Sequence, residues 1–310
     1  MTAKIIDGSA VSREMREELK AEIAALKEKS CIVPGLGGII VGDDPASQVY
    51  FGQKEKAAQA LGIYAERYAL PSSAYEDDLL RIIEKLNRNN RISGILVQLP
   101  LPDHINENRI IMAIDPSKDV DGQHPMNLGK LMIGDPDVLP CTPYGIQQLL
   151  IRSHVPIAGS EVVIVCRSNL VGKPIANILL QKKEHANATV TVCHTGTKDL
   201  ASHTREADIL IVATGHAKTI TADMVKEGAV VIDVGVNRIG RSASGRDILV
   251  GDVDFDSVKE KAGMITPVPG GVGPMTIACL LANTVRAACM QAGLPMPDFS
   301  RPSSDDRARD

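Results

Sequence analysis

The sequence predicts a two-domain α/β protein built on parallel sheets. Three observations predict it. The chain has 310 residues, about twice the common domain size. Short apolar runs alternate with helix-period segments along most of its length, the pattern of strands joined by helical crossovers. The alternation breaks over residues 114–142, where Pro116, Pro125, Pro136 and Pro140 crowd among Asp and Gly, with Pro143 just beyond.

The elements follow in order. Val11, Met15, Leu19, Ile23 and Leu26 recur at three- or four-residue steps with charges between them, which predicts an amphipathic helix capped by Ser9 or Ser12. Residues 36–41 read as a buried strand. A helix follows from about Ala46 to Leu61, with Gly62 suited to its C′ position. Ile63 to Leu70 is a weaker strand, Leu79 to Leu86 belongs to another amphipathic helix, and Ile92 to Leu99 is a strand closed by Pro100. The proline-rich stretch reads as one long loop, and a loop of that length in a compact protein is usually functional. Residues 144–152 are expected to form a helix crossing between domains.

Beyond it, strands are expected at 161–166, 188–193, 209–213 and 230–234, and at 246–250 after a Gly-Ser turn at 240–245. Short helices lie between them, as in a doubly wound sheet of the nucleotide-binding kind. After Pro274 a helix runs to about Ala292, with Ile277, Leu280, Leu281, Thr284, Val285 and Ala288 on one apolar side. The expected domains are residues 1–140, completed by the helix at 274–293, and residues 141–273. The tail at 294–310 is polar and proline-bearing and is expected to be disordered.

Composition narrows the functions. Net charge is −4, from 34 basic and 38 acidic residues; aromatics are 3% and there is no Trp. A nucleic-acid partner calls for a basic excess, and base stacking for aromatic platforms, so no nucleic acid is expected. Six cysteines, at 31, 141, 166, 193, 279 and 289, form no C-x-x-C pair. With no His pair at ligand spacing either, they are expected to be buried reduced thiols, and no metal is expected. The N-terminal residues lack an apolar signal core. No uninterrupted apolar run approaches the roughly 20 residues of a membrane span, so a cytoplasmic protein with no membrane partner is expected.

Several segments are suited to chemistry. The loop after the strand at 161–166 reads Cys166-Arg-Ser-Asn-Leu-Val-Gly-Lys-Pro174. A strand feeding a helix there offers backbone N–H groups and a positive dipole end to an anion; a plain strand-to-helix turn is the alternative. An NAD site usually carries a carboxylate at the end of the second strand, but here that strand ends in Val192-Cys-His-Thr195. Arg167 with a hydroxyl and no carboxylate suits a 2′-phosphate, so a dinucleotide here would be NADP. Arg167 alone also reads as a solvated surface residue.

On the helix at 46–61, Tyr50, Lys54, Ala57 and Leu61 are expected to share a side. An amine partly withdrawn from water has a lowered pKa and can act in acid–base chemistry; the alternative is a Lys that snorkels along its stem. Gln98 lies near the C-terminal end of a strand, where open α/β sheets bind ligands. Lys118-Asp-Val-Asp-Gly122 reads as a turn, with too few further ligands for calcium. Pro269-Gly-Gly-Val-Gly-Pro-Met-Thr-Ile277 places three glycines between two prolines ahead of a helix, leaving backbone open to a flat ligand. Pro274 fits the first turn of that helix.

Over roughly residues 4–293 the chain resembles the bacterial bifunctional methylenetetrahydrofolate dehydrogenase/methenyltetrahydrofolate cyclohydrolase family. The resemblance rests on Val41-Gly-Asp-Asp-Pro-Ala-Ser-Gln-Val-Tyr50 with Lys54, on Gln98-Leu-Pro-Leu-Pro102, on Lys118–Gly122 and on Pro269–Ile277, all in the family's order. It implies two α/β domains flanking a cleft: an N-terminal catalytic domain and a Rossmann-type doubly wound NADP domain, with the last helix returning to the first. It implies Lys54 as the acid–base residue of the cyclohydrolase step, Tyr50 as the ring stacked on folate, and Gln98 as the amide beside Lys54. Asp121 matches the carboxylate that pairs with the pterin. Leu99, Pro269, Gly270 and Gly271 match the lining of the folate site, and Cys166, Arg167, Ser168, Thr195 and Val236 the NADP contacts. The family usually has Gly at position 166, often Ser at 195 and often a basic residue at 196, where this chain has Cys, Thr and Gly.

The implied function is NADP-dependent oxidation of 5,10-methylenetetrahydrofolate, then hydrolysis of the methenyl cation to 10-formyltetrahydrofolate, by a homodimer supplying one-carbon units, for example to purine biosynthesis. A carboxylate pairs with the amidine-like edge of the pterin through two hydrogen bonds. Hydride removal is mainly a positioning task, whereas hydrolysis needs proton transfer near neutral pH. The alternatives are a monofunctional dehydrogenase, against which Lys54 and Gln98 together argue, a two-domain amino-acid dehydrogenase, which leaves Pro269–Ile277 unexplained, and a non-enzymatic nucleotide-binding or scaffold protein.

Overall fold

Each apolar run expected to be a strand forms one in the computed structural model, which describes residues 2–241 and 247–299. The chain divides into two units. One takes its described residues from Met1–Arg13 and Thr142–Thr276, the other from Glu14–Cys141 and Ile277–Asp310.

The first unit is built on a six-stranded sheet in which every pairing is parallel. From one edge its strands are β1 (Lys4–Ile5), β11 (Met264–Ile265), β8 (Val230–Asp233), β7 (Ile209–Val212), β5 (Glu161–Val165) and β6 (Thr189–Cys193). The chain lays β6 on one side of β5 and then crosses to lay β7 on the other, so the topological switch point lies between β5 and β7. Ligands of open α/β sheets bind outside the carboxyl ends of the strands at such a point. Central strands covered on both faces must be apolar throughout; accordingly Val162, Val163, Ile164 and Val165 are buried. Helices α7 (Gly172–Leu179), α8 (Leu200–Thr204) and α9 (Phe255–Val258) connect the strands, and β9 (Asn237–Arg241) pairs antiparallel with β10 (Asp247–Val250).

The second unit carries a three-stranded parallel sheet of β2 (Gly35–Val41), β3 (Tyr64–Leu70) and β4 (Gly94–Val97), with β2 central. Its core joins Ile39 and Ile95 of the sheet to Leu79, Ile83 and Leu86 of α3 (Glu76–Arg88). Those three helix residues are fully buried at i, i+4 and i+7. Each contributes about 1.5–3 kcal/mol of burial, which fixes α3 although its exposed face is heavily charged. In α2 (Pro45–Ala60), Pro45 opens the helix, Asp44 caps it by accepting from Ser47 N at 2.8 Å, and Gly62 follows with φ +82°.

Several expectations need correction. Helix α1 (Gly8–Ser30) contains Ser9 and Ser12; Asp7 is the residue that accepts from an early N–H, that of Ala10 at 3.0 Å. Ser12 Oγ instead donates to Pro274 O. The proline-rich stretch is no open loop: it holds a 3-10 turn at Pro116–Lys118 and α5 (Pro125–Met132), after α4 (Glu107–Ala113). Pro125 fits because a first-turn proline gives up no intrahelical bond. Helix α6 (Cys141–Arg152) starts three residues early, and β4 ends at Val97. Strands β1, β9 and β11 were not expected, and β1 places the first residues in the larger sheet, apart from the rest of the expected domain at 1–140.

Helix α10 (Val272–Gln291) starts two residues before Pro274, and its buried positions cover more than one side. By length and composition it would cross a membrane, but 78% of its apolar window is buried in the fold. All six cysteines are free, with Cys31 exposed and Cys166 partly so. In the expected tail, Phe299 is buried and Arg286 donates to Pro297 O; residues 300–310, and 242–246 of the expected turn and strand, lie outside the described residues.

Candidate active site and cofactor loop

The smaller sheet sets up the first group of residues. Helix α2 packs Phe51 against Gly38 of β2, where a Cβ would press on the ring. That contact turns Lys54, Ala58 and Leu61 inward beside Phe51, and Lys54 is only 7% exposed. The stripe expected from Tyr50 through Ala57 is thus displaced by one position. Tyr50, one turn before Lys54, is 39% exposed, so its ring is open to a ligand.

Gln98 follows the carboxyl end of β4, held by its own N–H on Ile39 O at 2.8 Å. Its Oε1 accepts from Lys54 Nζ at 3.1 Å and its Nε2 donates to Leu99 O at 2.7 Å. The amide is therefore oriented by its second bond, and it holds the amine in place.

Asp121 is carried by a turn anchored on three sides. Lys118 is buried, and its Nζ donates to the carbonyls of Leu86, Asn87 and Asn89 at 2.8–3.0 Å, closing the C-terminal end of α3. Burial pulls the Lys118 amine below its ordinary pKa. Asp119 is buried and accepts from Gln123 N, His124 N and Asn127 Nδ2; burial pushes its carboxyl up despite those bonds. Asn283 of α10 donates to Val120 O and Leu139 O, both at 2.8 Å. Asp121 itself stays partly exposed, with Gln123 Nε2 on its Oδ2 at 3.3 Å.

Cys141, the first residue of α6, is buried against the turn that carries Asp121. Its thiol bonds Val120 O at 3.3 Å and is pushed well above the ordinary range, first by burial and then by the charge of Asp121, while Lys54 opposes the shift. A buried thiol looks the same anywhere in a core, so the sequence offered no sign that Cys141 bonds the turn carrying Asp121. Among the described residues no group of His, Cys, Asp and Glu is arranged to hold a metal.

The larger sheet sets up the second group. Cys166, Arg167 and Ser168 follow the carboxyl end of β5, and Thr195 lies just beyond adjacent β6. Arg167 Nη2 reaches Thr195 Oγ1 at 3.5 Å. No carboxylate follows β6 before Thr195, so an arginine and a hydroxyl converge where a ribose 2′-phosphate would need them. Gly172 closes the turn: a Cβ there would run into the backbone of Cys166 and Arg167. One expectation changes in detail. Ser168 Oγ already accepts from Val171 N and Gly172 N, so those two donors serve as a cap. Val236, beyond β8, is 53% exposed. Pro269, Gly270 and Gly271 lie in this same unit, with Gly270 at φ +107° and its carbonyl accepting from Ser9 N at 3.1 Å.

A doubly wound sheet with this donor set, in one chain with a buried lysine bonded to an amide, defines a two-domain dinucleotide-binding α/β protein. The chain belongs to the tetrahydrofolate dehydrogenase/cyclohydrolase family: the family's catalytic-domain model matches residues 6–121 and its NAD(P)-binding-domain model residues 140–292. It is 63% identical over 294 residues to the bifunctional protein FolD of Syntrophus aciditrophicus, covering 95% of this chain and 100% of that one. Among solved structures, the bifunctional FolD dehydrogenase/cyclohydrolase of Campylobacter jejuni is 48% identical with a TM-score of 0.87, over 93% of this chain and 99% of that one. The Trypanosoma brucei dehydrogenase-cyclohydrolase, solved with NADP cofactor and inhibitor, is 38% identical with a TM-score of 0.89, over 94% and 99%.

Proposed function

We propose that this chain oxidises 5,10-methylenetetrahydrofolate to 5,10-methenyltetrahydrofolate with NADP, and hydrolyses the product to 10-formyltetrahydrofolate. The observation that carries the reading is the hydrogen bond of buried Lys54 to half-buried Gln98 at 3.1 Å. Bound NADP supplies the hydride acceptor. Arg167, Thr195 and Ser168 hold its phosphate-bearing end, with Cys166 forming the turn and Val236 offering an apolar surface.

Asp121 accepts two hydrogen bonds from the amidine-like edge of the pterin. Tyr50 supplies a ring face for stacking, while Leu99 lines the folate. In hydrolysis, water adds to the methenyl carbon and Lys54 takes a proton from it. The bond from that carbon to N5 then breaks, N5 is protonated, and the formyl group remains on N10, with one net proton released. Gln98 keeps the amine aimed through this exchange. A homodimer in the cytoplasm, with 10-formyltetrahydrofolate feeding purine biosynthesis, completes the reading.

The test is spectroscopic: NADPH formation from 5,10-methylenetetrahydrofolate, and loss of the methenyl chromophore with added 5,10-methenyltetrahydrofolate. Both activities are expected from one purified chain. Absence of NADPH formation would overturn the oxidoreductase half, and a stable methenyl chromophore the hydrolase half.

A further inference from the structure

Two buried carboxyl groups stand at the carboxyl ends of β7 and β8, and the chemistry above uses neither. Asp233 is 3% exposed and Asp252 is fully buried. Among the described residues neither is paired with a cation; both are surrounded by N–H donors. Asp252 Oδ2 accepts from Thr214 N at 2.5 Å and Gly215 N at 2.9 Å, in the turn after β7. Its Oδ1 accepts from Asn237 Nδ2 at 2.7 Å, at the start of β9 beyond the loop after β8. Asp233 Oδ1 accepts from Gly235 N and Asp252 N, and Oδ2 from Val253 N, all at 3.0 Å. Thr266 Oγ1 accepts from Asp233 N at 2.8 Å.

The packing leaves no slack. A Cβ on Gly235 would overlap the Asp252 carboxyl, and one on Gly251 would overlap that of Asp233. Burying two carboxyls side by side is costly, and a fold that needed only stability would be served by apolar residues. What this pair does is lock two loops to each other. The turn at 213–215 lies at the sheet's switch point. The loop at 234–236, ahead of Asn237, carries Val236. Arg167 and Thr195 stand on the opposite side of that point, at β5 and β6, and suit the phosphate-bearing end of NADP. A dinucleotide that lies across the switch point therefore brings its other end to the β7 and β8 loops.

We propose that Asp252 is a positioning residue for the nicotinamide end of the cofactor: it fixes the turn after β7 and the loop after β8 as one rigid surface, with Asp233 holding Asp252 in turn. This rests on the reading of the larger sheet as the NADP site.

The test uses Asp252→Asn. An amide has one acceptor and one donor where three donors now converge, so either orientation sets an NH2 group against an N–H or the Asn237 amide. NADPH affinity, read from the fluorescence of bound NADPH, is expected to weaken at least tenfold, and KM for NADP to rise with it. Hydrolysis of 5,10-methenyltetrahydrofolate, which consumes no NADP, is expected to stay within twofold of wild type and so reports that the chain is folded. Unchanged NADPH affinity in a folded Asp252→Asn protein overturns the proposal. If that variant loses both activities, Asn237→Ala decides, since it removes a single donor. A severalfold weaker NADPH affinity with normal hydrolysis supports the positioning role, and wild-type affinity refutes it. Should wild-type protein fail to bind NADPH, the reading of the site fails instead.

Discussion

Replacing Lys54 with methionine separates the two proposed activities. The stem of Lys54 is buried beside Phe51 and Ala58, and methionine fills a similar volume with a flexible, apolar chain. What is lost is the amine and its bond to Gln98 Oε1. A hydrogen bond contributes about 0.5–1.5 kcal/mol net, and the acceptor left unpaired costs about 1–3 kcal/mol. Against a domain stability of roughly 5–15 kcal/mol, the variant is expected to fold. For chemistry the loss is larger. A positioned acid–base group contributes about 10²–10⁴ in rate, or roughly 3–5 kcal/mol of barrier. Hydride removal involves no proton transfer to the amine, so the dehydrogenase is expected to fall no more than about tenfold, through Gln98 losing its partner. The assay follows methenyl absorbance and NADPH formation on the same preparation. Hydrolysis retained within a few-fold of wild type would remove Lys54 from the mechanism, and equal loss of both activities would assign it a binding role instead.

The other predictions address the anchoring and the cofactor end. Asp121→Asn keeps the shape of the turn but removes a charged acceptor, so KM for folate is expected to rise about 10–100-fold, read from initial rates at saturating NADP. Arg167→Gln is expected to raise KM for NADP by a similar factor and leave KM for NAD unchanged; equal changes for both would show that the guanidinium does not read the 2′-phosphate. Lys118→Met strips the donor from three carbonyls at the end of α3 and is expected to cost about 2–4 kcal/mol in urea unfolding. Burial pushes Asp233 from 3.8 up to about 6, so between those values the native state holds a proton that the unfolded chain has lost. Unfolding free energy should therefore decline by about 3 kcal/mol across that interval, the contribution being full below pH 3.8 and gone above pH 6. Urea titrations from pH 4 to 7 should show this component in wild type and not in Asp233→Asn; parallel curves would refute it.

The sheets were legible because their strands are apolar throughout: 36–41, 161–166 and 209–213 allow no other reading once flanked by helices. What escaped notice was short or polar. β1 and β11 have two residues each, and their place is decided only by pairing with each other and with β8. β9 reads Asn-Arg-Ile-Gly-Arg, with no apolar alternation, and exists because β10 pairs with it. In the stretch at 114–142 the prolines hid α5, because a proline at the first helical position costs nothing there. At α1, the serines drew attention from Asp7, whose carboxylate is the better partner for an exposed N–H near a positive helix end.

The site was legible one residue at a time, and its geometry was not. Lys54 stood out because a lysine interrupted an apolar spacing, but the face was assigned through Tyr50 and Ala57. Contact with Gly38 rotates the choice to Phe51 and Ala58, and a glycine's effect on a distant helix leaves no local trace. Asp119 and Asp121 look alike in Lys118-Asp-Val-Asp-Gly122. Only their partners tell them apart: Asp119 is buried with three donors from residues 123–127 on its carboxylate, while Asp121 is partly exposed with Gln123 Nε2 on its Oδ2. Asn283 and Asp252 gave no sequence signal, since each reaches partners far along the chain. A polar side chain that holds a loop is recognised by the carbonyls or N–H groups that would otherwise be buried unpaired, and those are known only after the chain has folded.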